Sequence, residues 1–267
     1  MDKTSEAVVI GGGIVGASIA HYMAAIGLKN TVVLEKDTLA GGATGLATAL
    51  IRMHYTNPWD SQLALRSWEV FDNWNELIGG TCGFTKTGFI FTVGHQETEK
   101  LQKNVEVMRR LSGMNTRVLS AVELKEMLPL WSFEDIGAAA YEPDSGYADP
   151  YSATMSLAGR ARELGVSILL GVWATAIRTE GGRVKGVETS EGFISTPTVV
   201  LAAGAWSTPL ARTAGLDLPV TGMLLSAGIL ERPVGLEETH LACIDASQGI
   251  YFRPDTGKLT IAGLSSV

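Results

Sequence analysis

Three glycines, Gly11, Gly13 and Gly16, follow a short apolar run and open an apolar, alanine-rich segment. That arrangement narrows the fold more than any other feature of the chain. Ala7-Val8-Val9-Ile10 is β-branched and wholly apolar, the pattern of a strand buried on both faces of a parallel sheet. Residues 14–26 read as a helix, apolar on all sides and stopped by Gly27. Thr31-Val32-Val33-Leu34 reads as a second buried strand, closed by Glu35. Together they form a βαβ unit of about 30 residues. In such a unit the first glycine permits the tight turn, the second lets backbone approach a pyrophosphate, and the third lets helix and strand pack closely. The helix start offers free N–H groups and the positive end of its dipole to the phosphates. Glu35, 19 residues past Gly16, suits ribose hydroxyls and repels a 2′-phosphate. The pattern points to a bound dinucleotide. The spacing alone does not decide between FAD and NAD.

Charge and cysteine usage exclude other classes. The net charge is −7 and no run of five or six basic residues occurs, which argues against nucleic acid or an anionic membrane surface as partner. The two cysteines, Cys82 and Cys243, are far apart and fit neither a disulfide framework nor a zinc site, so no metal is expected. A reducing, cytoplasmic compartment is the default expectation. Residues 7–28 carry no charged side chain, but Gly11, Gly12, Gly13 and Gly16 interrupt them. They read as strand, turn and helix, with no membrane span and no signal peptide.

Further along, Asn57-Pro58 marks a helix start, with Asn as N-cap and Pro in the first turn. Trp68, Phe71, Trp74 and Leu77 lay one apolar stripe along that helix up to Gly79-Gly80. Residues 88–93 suit a strand and 95–111 an amphipathic helix. Ser120 and Glu123 form a capping box, and Asp149-Pro150 begins another helix. Strands over 166–170, 172–177, 184–189 and 193–195 alternate with the turns Gly181-Gly182 and Glu191-Gly192. A further strand runs over 198–203, and the chain is strand-like from Val220 onward. His21 reads as a packing residue, and His95 and His240 as isolated, exposed ones.

The loop after Glu35 separates the two cofactors. Gly41-Gly42-Ala43-Thr44-Gly45-Leu46-Ala47-Thr48-Ala49-Leu50-Ile51-Arg52 resembles the flavin-side loop of the FAD-dependent amine oxidoreductases, which include D-amino-acid, glycine and sarcosine oxidases. Leu50-Ile51-Arg52-Met53-His54-Tyr55 is most similar to the sarcosine oxidase branch. Asp144-Ser145-Gly146-Tyr147-Ala148-Asp149-Pro150 and Val199-Val200-Leu201-Ala202-Ala203-Gly204-Ala205-Trp206 extend the resemblance over nearly all of the chain.

The resemblance implies an α/β fold in which a Rossmann-like FAD-binding domain, residues 1–80 and 142–215, interleaves with a mixed-sheet substrate domain, residues 81–141 and 216–267. It implies FAD as cofactor, with Gly11, Gly13, Ile14 and Gly16 at the pyrophosphate and Glu35 and Lys36 at the adenosine ribose. Thr44, Gly45, Ala47 and Thr48 would line the ribityl and isoalloxazine region. Ala174 would meet adenine through its backbone, and Ala203 and Gly204 would pass close to the cofactor. Arg52 matches the arginine that binds the substrate carboxylate. A guanidinium suits that task because it makes two parallel bonds at fixed geometry. His54 and Tyr55 read equally as flavin neighbours and as packing residues.

The implied reaction is oxidation of the C–N bond of a small amino acid by hydride transfer to the flavin. A 2-hydroxy-acid dehydrogenase of the same superfamily is the alternative, and a split subunit that binds FAD with little turnover is another. Two departures bear on this. Where the sarcosine oxidase branch carries an oxygen-activating lysine, alignment of residues 259–263 puts Thr260, with Lys258 nearby, which leaves the electron acceptor open and allows a dehydrogenase. Family chains also run on beyond the point where this one ends. A missing C-terminal segment or a second polypeptide is therefore expected to complete the substrate sheet.

Overall fold

A computed structural model describes residues 3–111, 113–235 and 238–264. The chain divides into two compact units. The first takes residues up to Ala47, Trp74–Cys82 and Asp149–Met223, and the second takes Thr48–Asn73, Gly83–Ala148 and the residues from Leu224 on.

The first unit is built on a four-stranded parallel sheet, in the order Val199–Leu201, Ala7–Ile10, Thr31–Glu35, Ser167–Leu170. Side chains alternate across it. Val8, Ile10, Val32 and Leu34 face Val172 and, from a second four-stranded sheet formed by Lys3–Thr4, Gly192–Ser195, Arg183–Thr189 and Ala174–Glu180, Ile177, Val187 and Ile194. Val9 and Val33 face the opposite way, onto Ala20, Ala24, Ala161 and Val166. Those alanines let the helices Ile14–Ala25 and Pro150–Glu163 lie close to the sheet and to each other. Each buried valine or leucine contributes about 1.5–3 kcal/mol to this packing. Gly181 and Gly182 both hold positive φ, 57° and 73°, as a tight hairpin turn requires.

The second unit centres on a seven-stranded sheet. Its order is Ala227–Glu231, Leu259–Leu264, Ile250–Pro254, Ala242–Asp245, Phe89–Val93, Ala138–Glu142, Arg117–Ser120. All its pairings are antiparallel except that of Ala242–Asp245 with Phe89–Val93. Leu101 and Val105 of the helix Thr98–Arg109 pack on Val93, Ala138 and Ala140. Leu124 of the helix Ala121–Met127 packs on Leu119 and Ala139. A short ladder pairs Leu50–Ile51 with Gly146–Tyr147.

The local signals for helix starts hold. Asn57 accepts from Trp59 N–H, Asp149 from Ser152 N–H, and Ser120 and Glu123 close both halves of their capping box. Four expectations change. The apolar stripe is broken: the helix Pro58–Asp72 ends at Asn73, whose backbone and side-chain N–H groups both donate to Glu69 C=O, and a separate turn Trp74–Leu77 follows. Ser61 and Leu65 are the buried residues of the longer helix, Trp74 is buried in the next turn, and Leu77 is exposed. The helix expected over 95–111 begins as a 3-10 turn, His95–Glu97, before Thr98–Arg109. The strand-like stretch after Val220 forms no strand until Ala227–Glu231. Finally, residues 48–73 cluster with the second unit rather than with the first 80 residues. The Leu50–Ile51 ladder and a bond from Trp68 Nε1–H to Asp144 C=O hold them there. Among the described residues no helix is long and apolar enough to cross a membrane.

Candidate functional site

In the first unit the glycine turn leaves the carboxyl end of Ala7–Ile10. Gly11 has φ +115°, and a Cβ on it would lie 2.3 Å from Ala202 C=O. Its N–H donates to Leu34 C=O at 2.8 Å. A Cβ on Gly16 would sit 1.9 Å from Gly11 C=O, so only glycine lets helix and strand meet there. Gly13 is the N-cap of Ile14–Ala25, without a side-chain cap, and the first turn carries no acidic residue. Ile14 N–H donates to Thr44 Oγ1 at 3.1 Å. This helix start is electrically suited to an anion.

Glu35 closes the turn from the neighbouring strand. Its Oε2 accepts from Gly12 N–H at 2.7 Å and its Oε1 from Asp37 N–H at 2.9 Å. Each carboxylate oxygen accepts more than one bond, so acceptor capacity remains for hydroxyl groups. The loop beyond Glu35 folds back onto the turn. Ala40, in the left-handed region at φ 61°, donates to Gly12 C=O, and Gly45 N–H donates to Ala40 C=O. Ala47 N–H donates to Thr44 C=O. The Lys36 ammonium lies 3.5 Å from the ring centre of Trp206, just beyond Ala203 and Gly204. Gly204 has φ 53° and open space where a Cβ would be. Ala174 starts an irregular stretch of pairing with the strand Arg183–Thr189, two residues after Val172 donates to Glu35 C=O. The structure thus gathers Gly11, Gly13, Ile14, Gly16, Glu35, Thr44, Gly45, Ala203 and Gly204 around one strand-end turn. Lys36 points from its rim to Trp206.

Thr48, Arg52, His54 and Tyr55 belong to the second unit. Thr48 C=O accepts from Arg253 Nε–H at 2.5 Å. Arg253 is buried and also lies over the Tyr147 ring at 4.3 Å. The half-buried Arg52 donates to His54 C=O and stacks over the Tyr55 ring at 4.1 Å. His54 is 1% exposed and stacks on Phe91 at 4.9 Å. Its Nε2 lies 3.3 Å from Asn104 Nδ2, which also donates to Tyr55 C=O. Nε2 is then the acceptor and Nδ1 carries the proton. Burial, with the Arg52 charge adding to it, pushes the imidazole pKa down to about 4. His54 is therefore a neutral packing residue near pH 7.

Beneath this segment lies Glu142, which the sequence pattern does not single out. Its buried carboxylate accepts from Met53 N–H at 2.9 Å, Ser145 Oγ–H at 2.7 Å and Thr116 Oγ1–H at 3.3 Å. Burial raises its pKa, while these bonds and the Arg52 charge pull it back. His240 corrects another expectation. It is half-buried, with Nδ1 on Leu241 C=O and Nε2 on Thr260 Oγ1, both at 2.8 Å, against the rings of Trp131 and Phe252. Among the described residues no cluster of three or more His, Cys, Asp or Glu is placed to hold a metal ion.

The family profile described as DAO, FAD dependent oxidoreductase, matches residues 6–266. The chain belongs to the DAO family. Human mitochondrial sarcosine dehydrogenase is 28% identical over 98% of this chain and 29% of its own length. Sarcosine oxidase subunit beta of Rhodobacter capsulatus is 26% identical over 98% of this chain and 64% of its own length. The crystal structure of L-proline dehydrogenase from P. horikoshii superposes with a TM-score of 0.86 at 30% identity, covering 99% of this chain and 70% of that one. The chain thus spans 29% and 64% of the two curated relatives. FAD is the DAO family's cofactor. The first unit fits it: the glycine turn at the carboxyl end of Ala7–Ile10, a helix start with no acidic residue in its first turn, and the Glu35 carboxylate fixed beside it are what a dinucleotide needs.

Proposed function

We propose that this DAO-family chain serves the oxidation of the carbon–nitrogen bond of a small amino acid of the sarcosine, glycine or D-amino acid type. FAD, when bound, supplies the two-electron acceptor for the hydride. The first unit is the FAD-binding part. Gly11, Gly13, Ile14 and Gly16 receive the pyrophosphate, and Glu35 and Lys36 lie at the adenosine ribose. Thr44, Gly45 and Ala47 serve the ribityl and ring region. Ala174 meets adenine, and Ala203 and Gly204 pass beside the cofactor. The second unit binds the substrate.

One observation carries the amino-acid reading. Arg52 is fixed by His54 C=O and the Tyr55 ring, and a guanidinium has further N–H donors for a carboxylate. Prior fixation lowers the entropy cost of seizing the substrate. Neutral His54 and the Tyr55 ring shape the segment. The activities for which the relatives are named, on sarcosine and L-proline, support an amine over a hydroxy acid. Likeness to a protein named as a subunit supports a second polypeptide in the assembly.

The test is reduction of an electron-accepting dye by the FAD-loaded full-length protein with sarcosine, glycine, L-proline or lactate. Turnover of an amino acid with release of an amine or aldehyde is expected. Turnover of lactate alone would overturn the reading in favour of a 2-hydroxy-acid dehydrogenase.

A further inference from the structure

In the parallel sheet of the first unit, Ala7–Ile10 lies between Thr31–Glu35 and Val199–Leu201. The two outer strands are therefore about 10 Å apart. Lys36 follows the carboxyl end of one, and Trp206 lies just past the carboxyl end of the other. Their side chains meet with the ammonium 3.5 Å from the ring centre. This contact crosses over the middle strand, whose carboxyl end carries the Gly11–Gly13 turn. Trp206 is half exposed, so core packing does not fix it. A Cβ on Gly42 would come within 3.8 Å of the ring, so the loop carrying Thr44 lies against it. Thr44 in turn holds Ile14 N–H at the helix start.

The geometry points to Lys36 and Trp206 as a cation–π bridge that holds the dinucleotide in place, with Trp206 a cofactor-retaining residue. It ties the 36–45 loop to the opposite strand end and keeps the phosphate turn closed on its outer side. Ligands of parallel α/β sheets bind at these carboxyl ends. The inference rests on the reading that the Gly11–Gly16 turn receives the FAD pyrophosphate. Opening the bridge should speed FAD release more than it slows FAD capture, because the bridge restrains what is already bound.

The experiment measures FAD dissociation from the reconstituted protein by capture of released flavin, with thermal unfolding of each apoprotein alongside. Lys36→Met and Trp206→Ala should each raise the dissociation rate about twofold to fivefold, the range expected for an exposed cation–π pair. Lys36→Arg and Trp206→Phe should largely restore slow release. The Lys36→Met apoprotein should melt with the parent, since that side chain is exposed. The double variant should release FAD no faster than the more affected single one, as expected for one shared contact. Unchanged release in Lys36→Met overturns the bridge. So do additive effects in the double variant, which would mean that Lys36 acts on a phosphate by itself. A parent protein that takes up no FAD would instead defeat the underlying reading of the glycine turn, and the bridge with it.

Discussion

Met53 donates its backbone N–H to Glu142 Oε2 at 2.9 Å, which fixes the residue next to Arg52 to a buried carboxylate 89 positions away. With Ser145 and Thr116 hydroxyls on the same group, three donors converge on one side chain. Glu142→Ala removes all three acceptor contacts and leaves the buried Met53 N–H without its partner. A loss of about 1–3 kcal/mol is expected, read as a lower urea midpoint at unchanged slope. An unshifted midpoint would show that the network contributes no stability.

Arg52→Lys tests the carboxylate assignment. A lysine keeps the charge but loses the fork that grips His54 C=O and, in the proposed reading, a substrate carboxylate with it. KM for sarcosine should rise at least about tenfold, the equivalent of one charge-assisted bond, with a smaller change in kcat. Kinetics matching the parent would leave Arg52 a purely structural residue of the 50–55 segment.

What could be read from sequence alone follows from the reach of each interaction. The glycine turn, the Asn57 and Asp149 caps and the Ser120–Glu123 box depend on partners within a few residues, and all lie where their local patterns put them. The break at Asn73 was less legible. Apolar spacing continues through Trp74, and the interruption comes from an Asn side chain competing for a helical carbonyl. Glu142 left no signal beyond one carboxylate after three alanines and a tyrosine, because two of its three donors arrive from 26 and 89 residues away. Trp206 and Lys36 stood in recognised motifs, but their meeting depends on the order of strands in the sheet.

His54 gives the stability a pH signature. Its folded pKa is about 4 against an ordinary 6.5, so the unfolded chain binds more protons between those values. Stability is then greatest above pH 6.5 and falls as the pH drops towards 4, by about 3 kcal/mol over the window from this group. Glu142, whose pKa is raised by burial, works in the opposite direction above the usual carboxylate range. The clean readout is therefore the difference between the parent and His54→Gln. Urea midpoints should fall less steeply with acid in the variant. Parallel curves would mean that His54 stays neutral in neither state more than the other.

Glu35 gives the most direct test of the cofactor site. In the structure its two oxygens hold Gly12 N–H and Asp37 N–H, so the carboxylate shapes the turn as well as offering acceptors to ribose hydroxyls. Glu35→Ala removes both roles. Loss of one charge-assisted bond costs about 1.5–3 kcal/mol, so FAD affinity should drop roughly tenfold to a hundredfold. Glu35→Gln keeps an amide oxygen that can still accept from Gly12 N–H, so its loss should be smaller. Titration of the apoprotein with FAD, followed by flavin fluorescence, gives both numbers. If alanine and glutamine weaken binding equally, the turn-shaping bond to Gly12 contributes little and the negative charge at the ribose dominates. If neither weakens it, Glu35 lies away from the ribose, and the glycine turn holds its ligand without it.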